Sequence, residues 1–474
     1  MLFSSSIFLF NFLPITLFIY FVFLRKTKKI KNYFLLLMSL IFYAWGEPKF
    51  IVMLIFSIII NWFCGLLIDK YSENKKRCKL LIVLTIISNL TILLIFKYLG
   101  FLVTNLNSVF SANIPVPQIA LPIGISFFTF QAISYVIDVY RGNGKVQKNI
   151  LNVGLYLAFF PQLIAGPIVR YETIAEQIDN RKENIEDFSK GTYRFLIGLF
   201  KKVLISNQMA ILANVAFDST PTSVLLAWLC AIAYALQIYF DFSGYSDMAI
   251  GLGSMFGFKF EENFDYPYTS KSITEFWRRW HISLGTWFRD YVYIPLGGSR
   301  WNKYRAFFNI FIVWLLTGVW HGASWNFILW GLYFFTFLIL EKSILKDKLK
   351  TLDSLNIFKK ILLHLYTLVI VLLGWVLFRT TSLESCFTYL KSMFGFTNIP
   401  LIDINFTRYL SEKSIYFIGG ILFSMPIYKY LSKYIDKHQK LSYIVSPVIM
   451  TFLFLITISF LVKGTYNPFI YFNF

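Results

Sequence analysis

Cysteine and histidine are both scarce in this 474-residue chain, with four of each. Cys64, Cys78, Cys230 and Cys386 are scattered and form no C-x-x-C pair, which argues against a thiolate metal centre and a disulfide framework. They read as small packing residues. His281, His321, His364 and His438 lie far apart and unpaired with cysteine, so nothing supports a zinc site. There is no G-x-S-x-G elbow, no Walker loop and no Cys–His arrangement of suitable spacing. Charged residues make up only 15% of the chain, and no stretch has the composition of a soluble domain, an internal repeat or a low-complexity tract. Acidic residues are outnumbered, 25 against 45 Lys and Arg, for a formal net charge of +20. Those basic residues form no domain free of apolar runs, which argues against nucleic acid as a partner.

What is abundant is apolar: 57% of residues are hydrophobic and 20% aromatic. At ~20 residues per crossing, spans are expected near 6–24, 32–45, 50–68, 80–96, 119–137, 191–216, 224–256, 306–320, 324–340, 360–378, 415–435 and 443–462. The expected fold is therefore an all-α polytopic membrane protein with about 11–12 transmembrane helices. Ile7 to Leu24 is too long for a signal-peptide core and no A-x-A-like site follows it, so it reads as a retained first span. The loops at 25–31, 69–79, 141–150, 342–360 and 429–440 carry the Lys and Arg residues and are assigned to the cytoplasm. That threading puts both termini outside. The basic cytoplasmic face suits anionic lipid headgroups or an anionic soluble substrate.

Two segments are not simple spans. Leu151 to Val169 is apolar but broken by Pro161, Gly166 and Pro167. Proline frees carbonyls that lipid cannot satisfy, so this stretch is read as re-entrant or tilted inside the protein, or else as a kinked span. From Ile273 to Tyr291, an arc of Ile273, Trp277, Trp280, Leu284, Trp287, Phe288 and Tyr291 faces away from Glu275, Arg278, Arg279, Arg289 and Asp290. This predicts one amphipathic helix lying in the membrane interface or dipping into the bundle.

Ionisable groups at membrane depth mark functional sites by default. His321 sits between two apolar runs, with Gly318 and Gly322 a helical turn apart to admit another backbone or a substrate. It reads either as a general base that takes a hydroxyl proton during attack on a thioester, or as a hydrogen-bonded interhelical histidine. His281 reads as a second base, a substrate-positioning group or an interfacial histidine. His364 and His438 have no companion residues and receive no role. Gln237, Asp241 and Tyr245 share a helix face, with Asp247 nearby. They either line a polar tunnel or pair with Arg278 or Arg279 for structural reasons. Trp277, Arg278, Arg279, Trp280 and Asn326 complete the candidate tunnel and positioning set.

The chain resembles the membrane-bound O-acyltransferase (MBOAT) family over nearly its whole length. The branch is that of membrane subunits for O-acetylation of alginate, peptidoglycan and exopolysaccharide. The resemblance is carried by Met1 to Ser5, Phe42-Tyr43-Ala44-Trp45, Pro122 to Gln131, Ser134 to Arg141 and Phe159 to Pro167. Its most specific blocks are Tyr239 to Gly251, Ser272 to Gly298 and Trp320-His321-Gly322.

The resemblance implies a single integral domain over 1–474, with a catalytic core about 120–340 and an extracytoplasmic tail at 463–474. It implies a ring of tilted helices with re-entrant and interfacial segments around a thinned centre. His321 becomes the catalytic base and His281 the second motif residue. The donor is acetyl-CoA, with no bound cofactor and no metal. The implied partner is an extracytoplasmic acetyl-transfer enzyme, expected to be SGNH-hydrolase-like, in a bacterial plasma membrane. Phe469, Tyr471 and Phe474 form F-x-Y-x-x-F, similar to the end of a small partner protein in teichoic-acid alanylation, which makes Tyr471 a candidate acyl relay. The competing readings are a transporter of a polar substrate and an acyltransferase acting on a lipid or peptide hydroxyl.

Overall fold

The computed structural model describes residues 1–24, 27–344, 356–427, 439–464 and 470, with side chains from 445 in the last long segment. Tyr471 and His438 lie outside the described residues. Helix dominates, as the apolar runs predict, because a backbone in lipid must satisfy its own hydrogen bonds. The described residues form two compact units, Met1–Phe195 with Tyr245–Glu261, and Leu196–Gly244 with Glu262–Phe474.

The first unit contains α1 (Phe8–Phe23), α2 (Lys28–Gly46), α3 (Ile51–Lys70), α4 (Lys75–Phe110), α5 (Ile125–Arg141), α6 (Ile150–Ala158), α7 (Phe160–Leu163) and α8 (Tyr171–Asn180). α4 runs on through residues 97–110, which the sequence pattern assigns to an outer loop. The Leu151–Val169 stretch is broken at Phe159, whose backbone leaves the helical region (φ −55°, ψ 114°), and Pro161 sits in the first turn of α7, where a missing donor costs nothing. From Asn152 to Val169 every residue is buried. The freed polar groups find protein partners: Phe160 N–H donates to Ser39 Oγ at 3.1 Å, and Tyr156 Oη donates to the Val169 carbonyl at 2.9 Å. This matches a segment packed inside the protein rather than a lipid-facing span.

Two long helices, α9 (Ile185–Phe217) and α10 (Val224–Met255), contribute to both units. The second unit continues with α11 (Ile273–Arg279), α12 (Ile282–Phe288), α13 (Lys303–His321), α14 (Trp325–Ser343), α15 (Ile357–Arg379), α16 (Leu383–Met393), α17 (Ile404–Phe423) and α18 (Gln439–Lys463). Asn302, Ser324, Asn356, Ser382 and Asp403 cap the starts of α13 to α17 with their side-chain oxygens.

Among the described residues, six helices are long and apolar enough to cross a membrane: α3, α4, α9, α10, α15 and the Val445–Lys463 part of α18. α2, α13 and α14 coincide with expected spans and have 19 residues each, but fall short on apolarity, as does the 20-residue α17, which begins at Ile404 and overlaps the expected 415–435 span only in part.

Candidate active site

The stretch from Ile273 to Tyr291 does not form the single amphipathic helix that its periodicity predicts. α11 ends at Arg279, Trp280 is extended, and His281 adopts the left-handed conformation (φ 48°, ψ 53°) before α12 begins. The reason is pairing with the preceding chain. Phe264 and Trp280 form an antiparallel bridge, Asp265 N–H donates to the Arg279 carbonyl at 3.0 Å, and Ile282 N–H donates to the Asn263 carbonyl at 2.9 Å. Asn263 Oδ1 then accepts from both the amide and the hydroxyl of Ser283. A non-glycine residue at positive φ is uncommon and costs free energy that its surroundings must offset. The arc is nevertheless apolar and inward: Ile273, Trp280, Leu284, Trp287, Phe288 and Tyr291 are all buried.

His321 is the last residue of α13, and Gly322 departs from the helix in extended backbone. The tight turn into α14 depends on close helix approach. A Cβ on Gly318 would lie 2.4 Å from the Phe327 carbonyl oxygen, and one on Gly331 would lie 2.4 Å from that of Trp314. The neighbour that Gly318 admits is therefore the backbone of α14, while Gly322 accommodates the Phe327 ring.

The His321 imidazole is enclosed by rings. Its centroid is 4.9 Å from Trp320, 4.9 Å from Trp330 and 5.0 Å from Phe378, each near edge-to-face. Trp320 also lies 6.0 Å from the His281 ring, so one indole packs against both imidazoles. His281 is buried, and burial pushes its pKa down to about 3. It is neutral at physiological pH.

The other expected site residues fall into three places. Trp277 and Trp280 belong to an aromatic cluster, with Trp277 4.8 Å from both Trp314 and Phe334, and Trp280 4.8 Å from Trp375. Arg279 pairs with Glu275 at 2.8 Å and approaches Asp265, whereas the Arg278 side chain is exposed. Asn326 donates to the Thr380 carbonyl at 2.7 Å, which ties the start of α14 to the end of α15.

Asp241 and Asp247 do form structural ion pairs, but not with Arg278 or Arg279. Asp241 takes Lys202 at 2.7 Å and Asp247 takes Arg194 at 2.6 Å, both partners coming from α9. Helix α9 supplies cations along α10, while Arg279 is engaged locally. Lys202 and Asp241 are almost wholly buried. The second oxygen of Asp241 accepts the backbone N–H of Ile470 at 3.0 Å, and the Ile470 side chain joins the buried core. Tyr245 stacks on Phe3 at 4.6 Å, in the first unit.

Pattern reading does not single out Lys202, Trp330, Phe378 or Glu341, and it names Trp320 only as part of a motif, with no role of its own. Lys202 follows Lys201 and looks like a helix-end charge; Glu341 precedes Lys342 and looks the same. A cavity of about 260 Å³ in the first unit, at Asp69, Ser72 and Lys75, contains none of the candidate site residues.

A family model described as MBOAT, membrane-bound O-acyltransferase family, matches residues 145–347. A probable alginate O-acetylase AlgI from Azotobacter vinelandii is 41% identical over 410 residues, covering 85% of this chain and 80% of that one. The chain belongs to the membrane-bound O-acyltransferase family. It is an acyltransferase and a multi-pass membrane protein. The peptidoglycan O-acetyltransferase of Helicobacter pylori is 35% identical over 464 residues, covering 90% of this chain and 87% of that one. The teichoic acid D-alanyltransferase of Bacillus subtilis is 35% identical over 224 residues, covering 44% of this chain and 56% of that one. The family match encloses His281, His321, Trp320 and Trp330, while Phe378 lies beyond it.

Proposed function

We propose that this acyltransferase moves an acetyl group from cytoplasmic acetyl-CoA across a bacterial plasma membrane to hydroxyls of an exported cell-surface polysaccharide, with a partner enzyme completing the transfer outside. The observation that carries the reading is His321 itself. It is an imidazole at a helix end, enclosed by Trp320, Trp330 and Phe378, in a chain similar along most of its length to alginate and peptidoglycan O-acetyltransferases. In this reading both termini are extracytoplasmic.

His321 acts as the general base. The acceptor is the Tyr471 phenol, whose ordinary pKa near 10 calls for such a base at neutral pH. The phenolic proton passes to the imidazole, the oxygen attacks the thioester carbonyl, and the C–S bond breaks. Coenzyme A leaves as a thiolate and takes up a proton. The acetyl-tyrosine ester then passes its acetyl group to the partner enzyme and from there to a glycan hydroxyl. The neighbouring Ile470, buried with its amide on Asp241, supports a tail that enters the catalytic unit. Holding thioester, base and acceptor together supplies the proximity contribution.

The test is transfer from radiolabelled acetyl-CoA by purified protein, with the adduct mapped by mass spectrometry. Label on Tyr471 in the wild type, absent in Tyr471→Phe and His321→Ala, is the expected result. Full transfer by Tyr471→Phe removes the relay, and full transfer by His321→Ala removes the base.

A further inference from the structure

Helix α11 has only seven residues, and isolated helices that short are unstable in water. Its position must come from what holds its ends. At its start, Ser272 Oγ accepts the Glu275 amide at 3.0 Å, leaving the first two amides to be satisfied. Both go to one carboxylate on another helix. Glu341 accepts Ile273 N–H at 2.5 Å, Thr274 N–H at 2.8 Å and Thr274 Oγ1–H at 2.6 Å. Glu341 is only 1% exposed. A buried carboxylate is costly unless it is fully bonded, and here its partners are donors at a helix N-terminus, which favour negative charge.

Glu341 lies near the end of α14, and the other end of α14 begins at the Ser324 cap, three residues past His321. Nineteen residues at 1.5 Å rise make a strut of about 28 Å. One end of this strut abuts the His321 turn, while the other holds the helix whose far end presents His281. The circuit closes through Trp320, which touches both imidazoles. We infer that Glu341 is a positioning residue for acyl transfer: it sets the register of α11 so that His281 stands against Trp320 and His321. This rests on the acyl transfer proposed above at His321, with His281, the second motif residue that the family resemblance implies, serving it as well.

The experiment compares wild type, Glu341→Gln, His281→Ala and the double variant in acetyl transfer by purified protein, with His321→Ala alongside. Gln keeps the shape but loses the charge and one acceptor. The expected result is a kcat lowered about 10-fold, a KM for acetyl-CoA within about two-fold of wild type, and no further loss when Glu341→Gln is added to His281→Ala. Wild-type kcat in Glu341→Gln, or a loss that multiplies in the His281→Ala background, overturns the inference. Should Glu341→Gln fail to give monodisperse protein, Thr274→Val removes one donor and leaves the carboxylate in place. It is expected to lose about three-fold, non-additively with His281→Ala, and additivity overturns the inference here too. Wild-type activity in His321→Ala and His281→Ala would instead sink the underlying reading.

Discussion

Trp320 packs against both His281 and His321, with its indole centroid 6.0 Å from one imidazole and 4.9 Å from the other. The three residues reach this arrangement from two backbone anomalies, the left-handed residue at 281 and the helix end at 321. His321→Ala is expected to lower acetyl transfer by about 100-fold or more, the lower range for loss of a general base. Trp320→Ala is expected to lower it less, by disordering both imidazoles, and Trp320→Phe to retain most activity. Steady-state kinetics on purified variants checks this order.

The acid response of stability follows from His281. Its pKa in the fold is about 3, while an unfolded histidine titrates near 6.5. The fold therefore favours the neutral form, and its contribution is complete above about pH 6.5 and is lost as pH falls towards 3. Asp403 behaves differently. Burial alone would raise its pKa, but bonds from Thr222, Ser223, the Phe406 amide and Asn405 bring it down to about 2, so its contribution is lost only below about pH 4. Between pH 7 and 5 the melting temperature should drop in the wild type and drop less in His281→Asn, as read by thermal unfolding in detergent.

The Lys202–Asp241 pair should behave as a buried ion pair whose halves cannot be removed singly. Lys202→Met or Asp241→Asn alone is expected to cost about 3–5 kcal/mol, because the remaining group is left buried without its partner. Asp241→Asn also weakens the acceptor for the Ile470 amide. The double variant Lys202→Met/Asp241→Asn should recover much of the loss. Thermal stability of the four proteins gives the coupling directly.

Close approach of α13 and α14 predicts a steric result. Gly331→Ala puts a Cβ 2.4 Å from a backbone oxygen that has no rotamer to move, so the helices must separate. A loss of about 1–3 kcal/mol is expected, the usual cost of overpacking. Activity should fall with it because the His321 turn lies at the same junction. Gly285→Ala, where a Cβ meets nothing within 4 Å, serves as the control and should be neutral in both measurements.

The apolar runs, the broken Leu151–Val169 stretch and His321 were legible because each rests on a local rule: length to cross a bilayer, proline chemistry, and the cost of a polar group at depth. The ion pairs were not. Asp241 and Asp247 announce a need for cations, but nothing in their own neighbourhood distinguishes Lys202 and Arg194 from Arg278 and Arg279. Helical periodicity likewise placed Ile273, Trp280 and Tyr291 on a buried face, yet missed that the helix stops at Arg279, because the competing partner of Trp280 is Phe264 on a separate stretch.

The amino-acid sequence alone determined the class of this protein, its membrane character, its family and the histidine on which the proposed chemistry turns, since these depend on composition and contiguous motifs. Only the tertiary structure decided how His281 is presented, which cation holds Asp241, and that Glu341 caps a helix 68 residues earlier in the chain. Those are contacts between groups distant in sequence. Their energies depend on burial and on hydrogen-bond geometry, neither of which exists until the helices have packed.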